Sequence, residues 1–226
     1  MNTKLVVFDM AGTTVVDKGS VADSFIGAFL ENELEVPFDA VQNVMGYRKT
    51  EAIRMLLDKF YPNLENIDER IIAIHDVFEE KMLSFYMSVQ DLKPLPFTED
   101  IFRWLHTHNI FVALNTGFTR LVTEGILYRL DWKNSNLIDA VICSDEVEEG
   151  RPTPFMINAL MKKFNIEDST EVIKVGDTEV DVLEGRNAKC GKVISVTTGA
   201  YTRTQLEQYA PDHIIDSLEH LALYIH

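Results

Sequence analysis

Short apolar segments alternate with amphipathic segments along most of the chain. The apolar segments are rich in valine and isoleucine and lack a polar face, which is typical of buried parallel strands. They cover residues 5–10, 110–116, 140–144, 172–176 and 192–197, with a weaker one at 213–216. Helical spacing follows at residues 99–108, 119–130, 152–164, 179–188 and 203–209. This alternation predicts an α/β fold with a doubly wound, Rossmann-like parallel sheet.

One long region, residues 17–95, shows no strand pattern. Helical spacing occurs there at 21–30, 38–44, 50–61 and 67–89, and two prolines, Pro94 and Pro96, follow. We predict a helical cap domain over residues 17–95, and a core domain formed by residues 1–16 and 96–226. An insertion after the first strand lies over the crevice where doubly wound sheets bind ligands, so we expect a lid.

Composition and charge narrow the function classes. The 226 residues include 21 Lys and Arg and 36 Asp and Glu, a net charge of −15, which disfavours a general nucleic-acid binder. An anionic substrate then requires a local group of cations. No apolar run approaches the roughly 18 residues of a membrane span. Two cysteines, Cys143 and Cys190, make no disulfide framework, and with no signal-peptide pattern we expect a cytoplasmic protein.

Asp9 follows the first predicted strand directly, and Gly12 and Thr13 come next. Glycine permits a tight turn that leaves backbone amides exposed. A carboxylate in this place is a candidate nucleophile or metal ligand beside an anion-binding turn. An aspartate that caps the next segment is the alternative.

A second pair of carboxylates, Asp177 and Asp181, follows the fourth strand. If the next helix starts at Asp177, the two lie on one helix face. Together with Asp9 they would make an oxygen-rich site for a hard cation such as Mg²⁺. Helix capping and compensation of the helix dipole are equally good explanations of the pair alone.

Two further motifs lie at strand ends. Asn115, Thr116 and Gly117 lead into a helix, where a hydroxyl and backbone amides can bind a phosphoryl oxygen or simply cap the helix. Pro152 suits a first helical turn, which would place Arg151 at a helix start that disfavours a cation. We therefore expect an anionic partner for Arg151, with a surface salt bridge as the alternative.

The motifs share one topological position, because the carboxyl ends of parallel strands meet at one edge. The series Asp9-x-Ala-Gly-Thr, Asn-Thr116-Gly, Gly-Arg151-Pro and Gly-Asp177-x-x-x-Asp181 resembles the haloacid dehalogenase superfamily over nearly the whole chain. The helical insertion matches the first cap position of that superfamily. Most of its phosphatases carry aspartate where this chain has Ala11 and lysine where it has Arg151. The phosphonoacetaldehyde hydrolase family is similar to this chain at both of these positions. It is also similar over segments 117–120, 174–178 and 184–188.

The segment 45–49, Met-Gly-Tyr-Arg-Lys, resembles the cap segment of that family, whose lysine forms a Schiff base with an aldehyde. An amine must be neutral to attack a carbonyl, and we expect Arg48 to lower the pKa of Lys49 if the two side chains lie close. A solvated lysine opening a helix is the alternative. Ala52 and Ser20 stand where the family has a histidine and a cysteine, so another group or water would have to transfer protons.

The resemblance implies a Mg²⁺-dependent hydrolase with an aspartyl-phosphate intermediate. Phosphonatase-like cleavage of a small 2-oxo-phosphonate is the leading hypothesis; a phosphomonoesterase (phosphoglycolate-phosphatase-like) and a non-enzymatic binder of a phosphorylated ligand are the alternatives. Ala11 speaks against the phosphomonoesterase, because the usual acid for an alkoxide leaving group is missing. The expected partner is a small phosphorylated or phosphonate metabolite, not nucleic acid or membrane, and a homodimer is left open. The implied site residues are catalytic Asp9, Lys49, Thr116 and Arg151; substrate-binding Gly12, Thr13, Met45, Gly46, Asn115 and Gly117; and metal-binding Asp9, Ala11 (backbone carbonyl), Asp177 and Asp181.

Overall fold

Six parallel strands form a single sheet in the computed structural model, which describes residues 3–225. The strands are β1 (Leu5–Phe8), β2 (Phe111–Thr116), β3 (Ala140–Cys143), β4 (Val172–Gly176), β5 (Lys192–Val196) and β6 (His213–Ile215). Their order is β3-β2-β1-β4-β5-β6, with β1 paired to both β2 and β4. The predicted doubly wound parallel sheet is confirmed, and the order reverses at β1, where such folds bind ligands.

The sheet is buried on both faces, which explains why its strands lack a polar side. Val6 and Phe8 pack into one hydrophobic core, whereas Leu5 and Val7 pack into a second core on the opposite face. Successive side chains of a strand point to opposite faces, so a strand covered on both sides must be apolar throughout. This arrangement makes β1 the most enclosed strand and leaves its carboxyl end as a fixed point for Asp9.

Four helices follow β1 before the next core element. They are α1 (Ser20–Glu31), α2 (Phe38–Gln42), α3 (Lys49–Phe60) and α4 (Ile67–Ser88), and we call them the cap. The Phe25 and Phe78 rings join α1 to α4 with centroids 4.6 Å apart. The chain segments entering and leaving the cap lie side by side, since the Leu95 amide donates to the Thr14 carbonyl at 2.9 Å. The exact domain bounds, 17–95 and the remainder, stay a prediction.

The helices of the core follow the strands in the predicted alternation. They are α5 (Thr98–Thr107), α6 (Arg120–Arg129), α7 (Phe155–Lys163), α8 (Glu179–Asn187) and α9 (Arg203–Glu207), with short 3-10 helices at Ser144–Glu146, Ser169–Glu171 and Leu218–Tyr224. None of these three was predicted; the Ser217 hydroxyl caps the last by accepting from the Glu219 amide. Among the described residues, no helix has both the length and the apolar character needed to span a bilayer.

One helix start differs from the sequence-based expectation, and a second, at Glu179, agrees with it. Helix α7 begins at Phe155 rather than near Pro152, because residues 150–153 form a turn in which the Thr153 hydroxyl donates to the Gly150 carbonyl at 2.7 Å. The placement of Arg151 at a helix start was therefore wrong. Helix α8 begins at Glu179, with Thr178 as its N-cap, so Asp177 lies outside the helix.

Candidate active site

A cavity of about 40 Å³ lies between the carboxyl ends of β1, β2 and β4 and the cap. It offers roughly the space that three water molecules need, so only a small substrate fits this closed arrangement. The structure brings Asp9, Lys49, Thr116, Arg151 and Asp177 together here. The lining residues are Asp9, Ala11, Asp17, Val21, Met45, Gly46, Lys49, Thr116, Gly117, Phe118, Arg151, Asp177, Thr178 and Ala200.

Three buried carboxylates form an acidic cluster, which we define as Asp9, Asp177 and Asp181. One oxygen from each lies within 4.8 Å of the others. Asp177 is held by two donors, the Thr13 hydroxyl at 2.9 Å and the Ala200 amide at 2.7 Å. These bonds orient the carboxylate toward Asp9 although 168 residues separate the two in sequence. Clustered carboxylate oxygens are the ligands that hard cations prefer.

Asp181 has all of its acceptor capacity engaged within the protein. Its Oδ2 accepts from the Thr178 amide at 3.1 Å and the Thr178 hydroxyl at 2.6 Å, which closes the start of α8. Its Oδ1 accepts from Arg151 Nη1 at 2.5 Å and Lys174 Nζ at 2.9 Å. The capping explanation is therefore confirmed for this residue, whereas its part in a cation site stays a prediction.

Arg151 is 1% exposed and lies between two carboxylates. Its Nη1 donates to Asp9 Oδ1 at 2.8 Å as well as to Asp181 Oδ1. Burial lowers the pKa of Arg151, but Asp181 and Asp9 outweigh that effect and raise it, so the guanidinium stays charged. Its buried Nε has no hydrogen-bond partner among the described residues. Because an unpaired buried donor is costly, this atom fits an anion bound in the cavity. The surface salt bridge expected as an alternative is ruled out.

A polar network beneath the acidic cluster was not found by sequence reasoning. Lys174, in the middle of β4, donates to Asn115 Oδ1 at 2.6 Å, and its Nζ lies 3.3 Å from Glu184 Oε2. Asn115 in turn donates to both Glu184 oxygens at 2.8 Å. The Asn115 side chain is thus engaged below the cavity and does not line it. The available signal was a lysine inside an apolar strand, which requires a buried partner.

Lys49, the first residue of α3, is 4% exposed, so the solvated-lysine alternative is wrong. Its Nζ lies 5.2 Å from the Phe118 ring centroid and 5.5 Å from that of Phe25. Within residues 3–225 no carboxylate forms an ion pair with it. Burial, and next the charge of Arg151, lower its pKa to about 8. The expectation that Arg48 has this effect was wrong, because the Arg48 guanidinium turns toward the core and donates to the Ser144 carbonyl at 2.9 Å.

The acidic cluster fits a divalent cation on chemical grounds. Burial and then repulsion from Asp9 and Asp181 raise the pKa of Asp177 well above its usual range. Burial also raises the pKa of Asp9, although Arg151 opposes this. A cation between these carboxylates would favour their charged forms and so oppose both shifts. Gly12 closes the turn beside them with φ 86°, and a Cβ there would lie 2.8 Å from Asp177 Oδ2.

The cap segment 45–49 lies directly on the core loops. A Cβ on Gly117 would lie 2.5 Å from the Tyr47 carbonyl oxygen, and one on Gly46 would lie 2.4 Å from Val180 Cγ2. These glycines therefore permit the close approach of cap and core. At the same edge, the Thr116 hydroxyl oxygen accepts from the Phe118 amide at 3.1 Å, which leaves its proton available to a ligand.

Comparison with known proteins agrees with this geometry. The model of the family described as haloacid dehalogenase-like hydrolase matches residues 6–196. The chain belongs to this family. Phosphonoacetaldehyde hydrolase from Paraburkholderia xenovorans is 30% identical over 226 residues, covering 93% of this chain and 82% of its own. The enzyme of that name from Latilactobacillus sakei is 30% identical over 199 residues, covering 81% and 71%.

Solved structures support the fold of this haloacid dehalogenase-like hydrolase. A phosphonoacetaldehyde hydrolase-like protein from Oleispira antarctica superposes with a TM-score of 0.85 at 22% identity, covering 99% of this chain and 91% of its own. At that identity the likeness concerns the fold.

Several lining residues of the hydrolase carried no sequence signal. Asp17 lies in the segment entering the cap, where its Oδ1 accepts from the Ser20 amide at 2.9 Å and the Ser20 hydroxyl at 2.6 Å. Ala200 comes from the loop after β5, and Phe118 belongs to the segment 117–120, to which the resemblance gave no role for this ring. Only the closed arrangement of cap and sheet brings such residues to one cavity.

Proposed function

We propose that this hydrolase cleaves the carbon–phosphorus bond of a small 2-oxo-phosphonate in a cytoplasmic setting. The observation that supports it most is Lys49: a buried amine without an ion pair, with its pKa lowered to about 8, on the wall of the cavity that Asp9 and Arg151 also line. A phosphate ester needs no such amine. The relatives named phosphonoacetaldehyde hydrolase support the same substrate class.

Asp9 would act on phosphorus. One of its carboxylate oxygens attacks in line, the carbon–phosphorus bond breaks, and an aspartyl phosphate forms that water later hydrolyses. Arg151 and the Thr116 hydroxyl would hold phosphoryl oxygens. Mg²⁺ would be held by Asp9, the Ala11 carbonyl and Asp177, with Asp181 in support, and would offset repulsion between the carboxylate and the phosphonate.

Lys49 would prepare the leaving group. The neutral amine adds to the substrate carbonyl, and the resulting carbinolamine takes up a proton, delivered by water, and loses water to give an iminium. When Asp9 attacks, the electron pair of the carbon–phosphorus bond moves into the iminium and leaves an enamine. Protonation of the enamine carbon and hydrolysis release the carbonyl product and free Lys49. Since Ala52 and Ser20 replace the family's histidine and cysteine, water would carry the protons.

The test compares substrates and traps the imine. Phosphate release from phosphonoacetaldehyde should exceed release from phosphoglycolate, and borohydride with phosphonoacetaldehyde should leave a reduced adduct on Lys49, located by peptide mass spectrometry. Lys49→Arg keeps the charge but should lose both the adduct and carbon–phosphorus cleavage. Retention of that cleavage by Lys49→Arg would refute the role of the amine, and faster turnover of phosphoglycolate would favour the phosphomonoesterase.

A further inference from the structure

Arg48 makes contacts that the proposed reaction does not yet use. It is the N-cap residue of α3, next to Lys49, and its guanidinium crosses from the cap to the core. Nε donates to the Ser144 carbonyl and Nη1 to the Glu148 carbonyl, each at 2.9 Å, and Nη2 donates to the Val147 carbonyl. Guanidinium donors arranged in a fixed fork suit several carbonyls at once, whereas a lysine would offer a single point charge.

The same core loop receives a second contact from the cap. The Gly150 amide donates to Glu51 Oε1 at 3.2 Å, and Arg48 Nη1 lies 3.7 Å from that same oxygen. Arg48 precedes and Glu51 follows Lys49 in sequence, and the loop 144–150 that they bind leads directly into Arg151. A Cβ on Gly150 would lie 2.6 Å from the Arg48 Cβ, so the loop and the cap are already in close contact.

We propose that Arg48 is a positioning residue that fastens the cap to the core loop 144–150 and thereby holds the Lys49 amine inside the cavity. The inference that Arg48 affects catalysis rests on the proposed function. The inference that it places Lys49 does not. Lys49 has no ion pair of its own in the described chain. Phe25 and Phe78 belong to the cap itself, so closure of the cap on the core is what adds Phe118 and the core side of the cavity to the surroundings of the amine. Loss of the Arg48 contacts would let this segment open to water.

The first experiment needs no substrate. Amine labelling by trinitrobenzenesulfonate, followed by peptide mass spectrometry, reports the exposure of each lysine in the folded protein. Arg48→Ala should raise the labelling rate of Lys49 by about tenfold or more, while the remaining lysines keep their rates. Arg54→Ala is the matched control, because Arg54 lies on the same helix but pairs with Asp68 within the cap. It should leave Lys49 protected.

The second experiment measures turnover of phosphonoacetaldehyde. Arg48→Ala should lower kcat about tenfold or more, Arg48→Lys should lower it less, and Arg54→Ala should leave it unchanged. If the wild type does not turn over this substrate, the proposed function fails while the labelling result stands. Unchanged labelling of Lys49 in Arg48→Ala overturns the inference. If that variant does not fold, as judged by its thermal melt, Arg48→Gln decides by the same labelling measurement: faster labelling of Lys49 supports the inference and unchanged labelling overturns it.

Discussion

Two lysines of this hydrolase are buried within the same site, and their surroundings differ. Lys174 is 0% exposed beneath the acidic cluster, and Lys49 is 4% exposed in the cap. Burial lowers the pKa of both amines. At Lys174 the Asp181 and Glu184 carboxylates outweigh burial and raise its pKa, whereas at Lys49 the nearby charge of Arg151 adds to burial. The partners, not the depth of burial, decide whether the pKa of each amine rises or falls.

The difference gives the two regions of the site different roles. The core beneath the sheet edge pairs its charges through Asn115, Lys174 and Glu184 and so keeps Asp181 and Arg151 in place. The cap encloses its amine with aromatic rings and leaves it unpaired. A paired buried charge is costly to lose, whereas an unpaired one is costly to keep. We therefore expect the first lysine to stabilise the fold and the second to reduce its stability.

The largest effect is expected at Asp9, the carboxylate that both regions approach. Asp9→Asn removes the attacking oxyanion and should lower phosphate release on the order of 10⁴-fold or more. The measurement is a steady-state phosphate assay with Mg²⁺ present. The exposed cap residue Asp58, replaced by Asn, serves as a control and should keep full activity. Full activity in Asp9→Asn would exclude it as the nucleophile.

Replacing Lys174 tests the paired region. Lys174→Met leaves Asp181 and Glu184 without their shared cation, and we expect a loss of about 3–5 kcal/mol in the free energy of unfolding. Urea denaturation measures it. Adding Glu184→Gln should recover part of the loss, and the exposed Lys162, replaced by Met, should change stability by less than about 0.5 kcal/mol. A Lys174→Met protein as stable as the wild type would contradict the comparison.

Replacing Lys49 tests the unpaired region. We expect it to change the free energy of unfolding in the opposite direction, toward greater stability. In the folded protein Lys49 loses its proton near pH 8, while the unfolded chain holds it to pH 10.5. The unfolded state therefore binds more protons between these values, and wild-type stability rises with pH there. Lys49→Met should be more stable by about 3 kcal/mol at pH 7, and the difference should shrink toward pH 10.5.

Urea denaturation at pH 7, 8.5 and 10 measures this difference. The gain in stability should accompany the loss of borohydride trapping, because the same unpaired amine causes both. A Lys49→Met protein that is less stable than the wild type at pH 7 would show that the amine has a stabilising partner.

The sequence alone determined the fold and much of the candidate site. Short, continuous apolar segments and helices of period 3.6 are local patterns, so the sheet and the cap helices could be predicted from neighbouring residues. Parallel strands then share one edge by topology. That is why Asp9, Thr116, Arg151 and Asp177 could be expected near one another without knowledge of any contact.

Only the tertiary structure decided which side chains are partners. Arg48 binds carbonyls about 100 residues away, and Lys174 meets Asn115 across 59 residues. The turn at Thr153 moved the start of α7 to Phe155, whereas local propensity had placed it near Pro152. Partner choice depends on packing between distant elements, whose side chains compete for the same donors and acceptors. The local periodicity of the sequence does not specify these partners. The burial of Lys49 and the direction of the Arg48 side chain therefore follow only from the packing of the cap on the core.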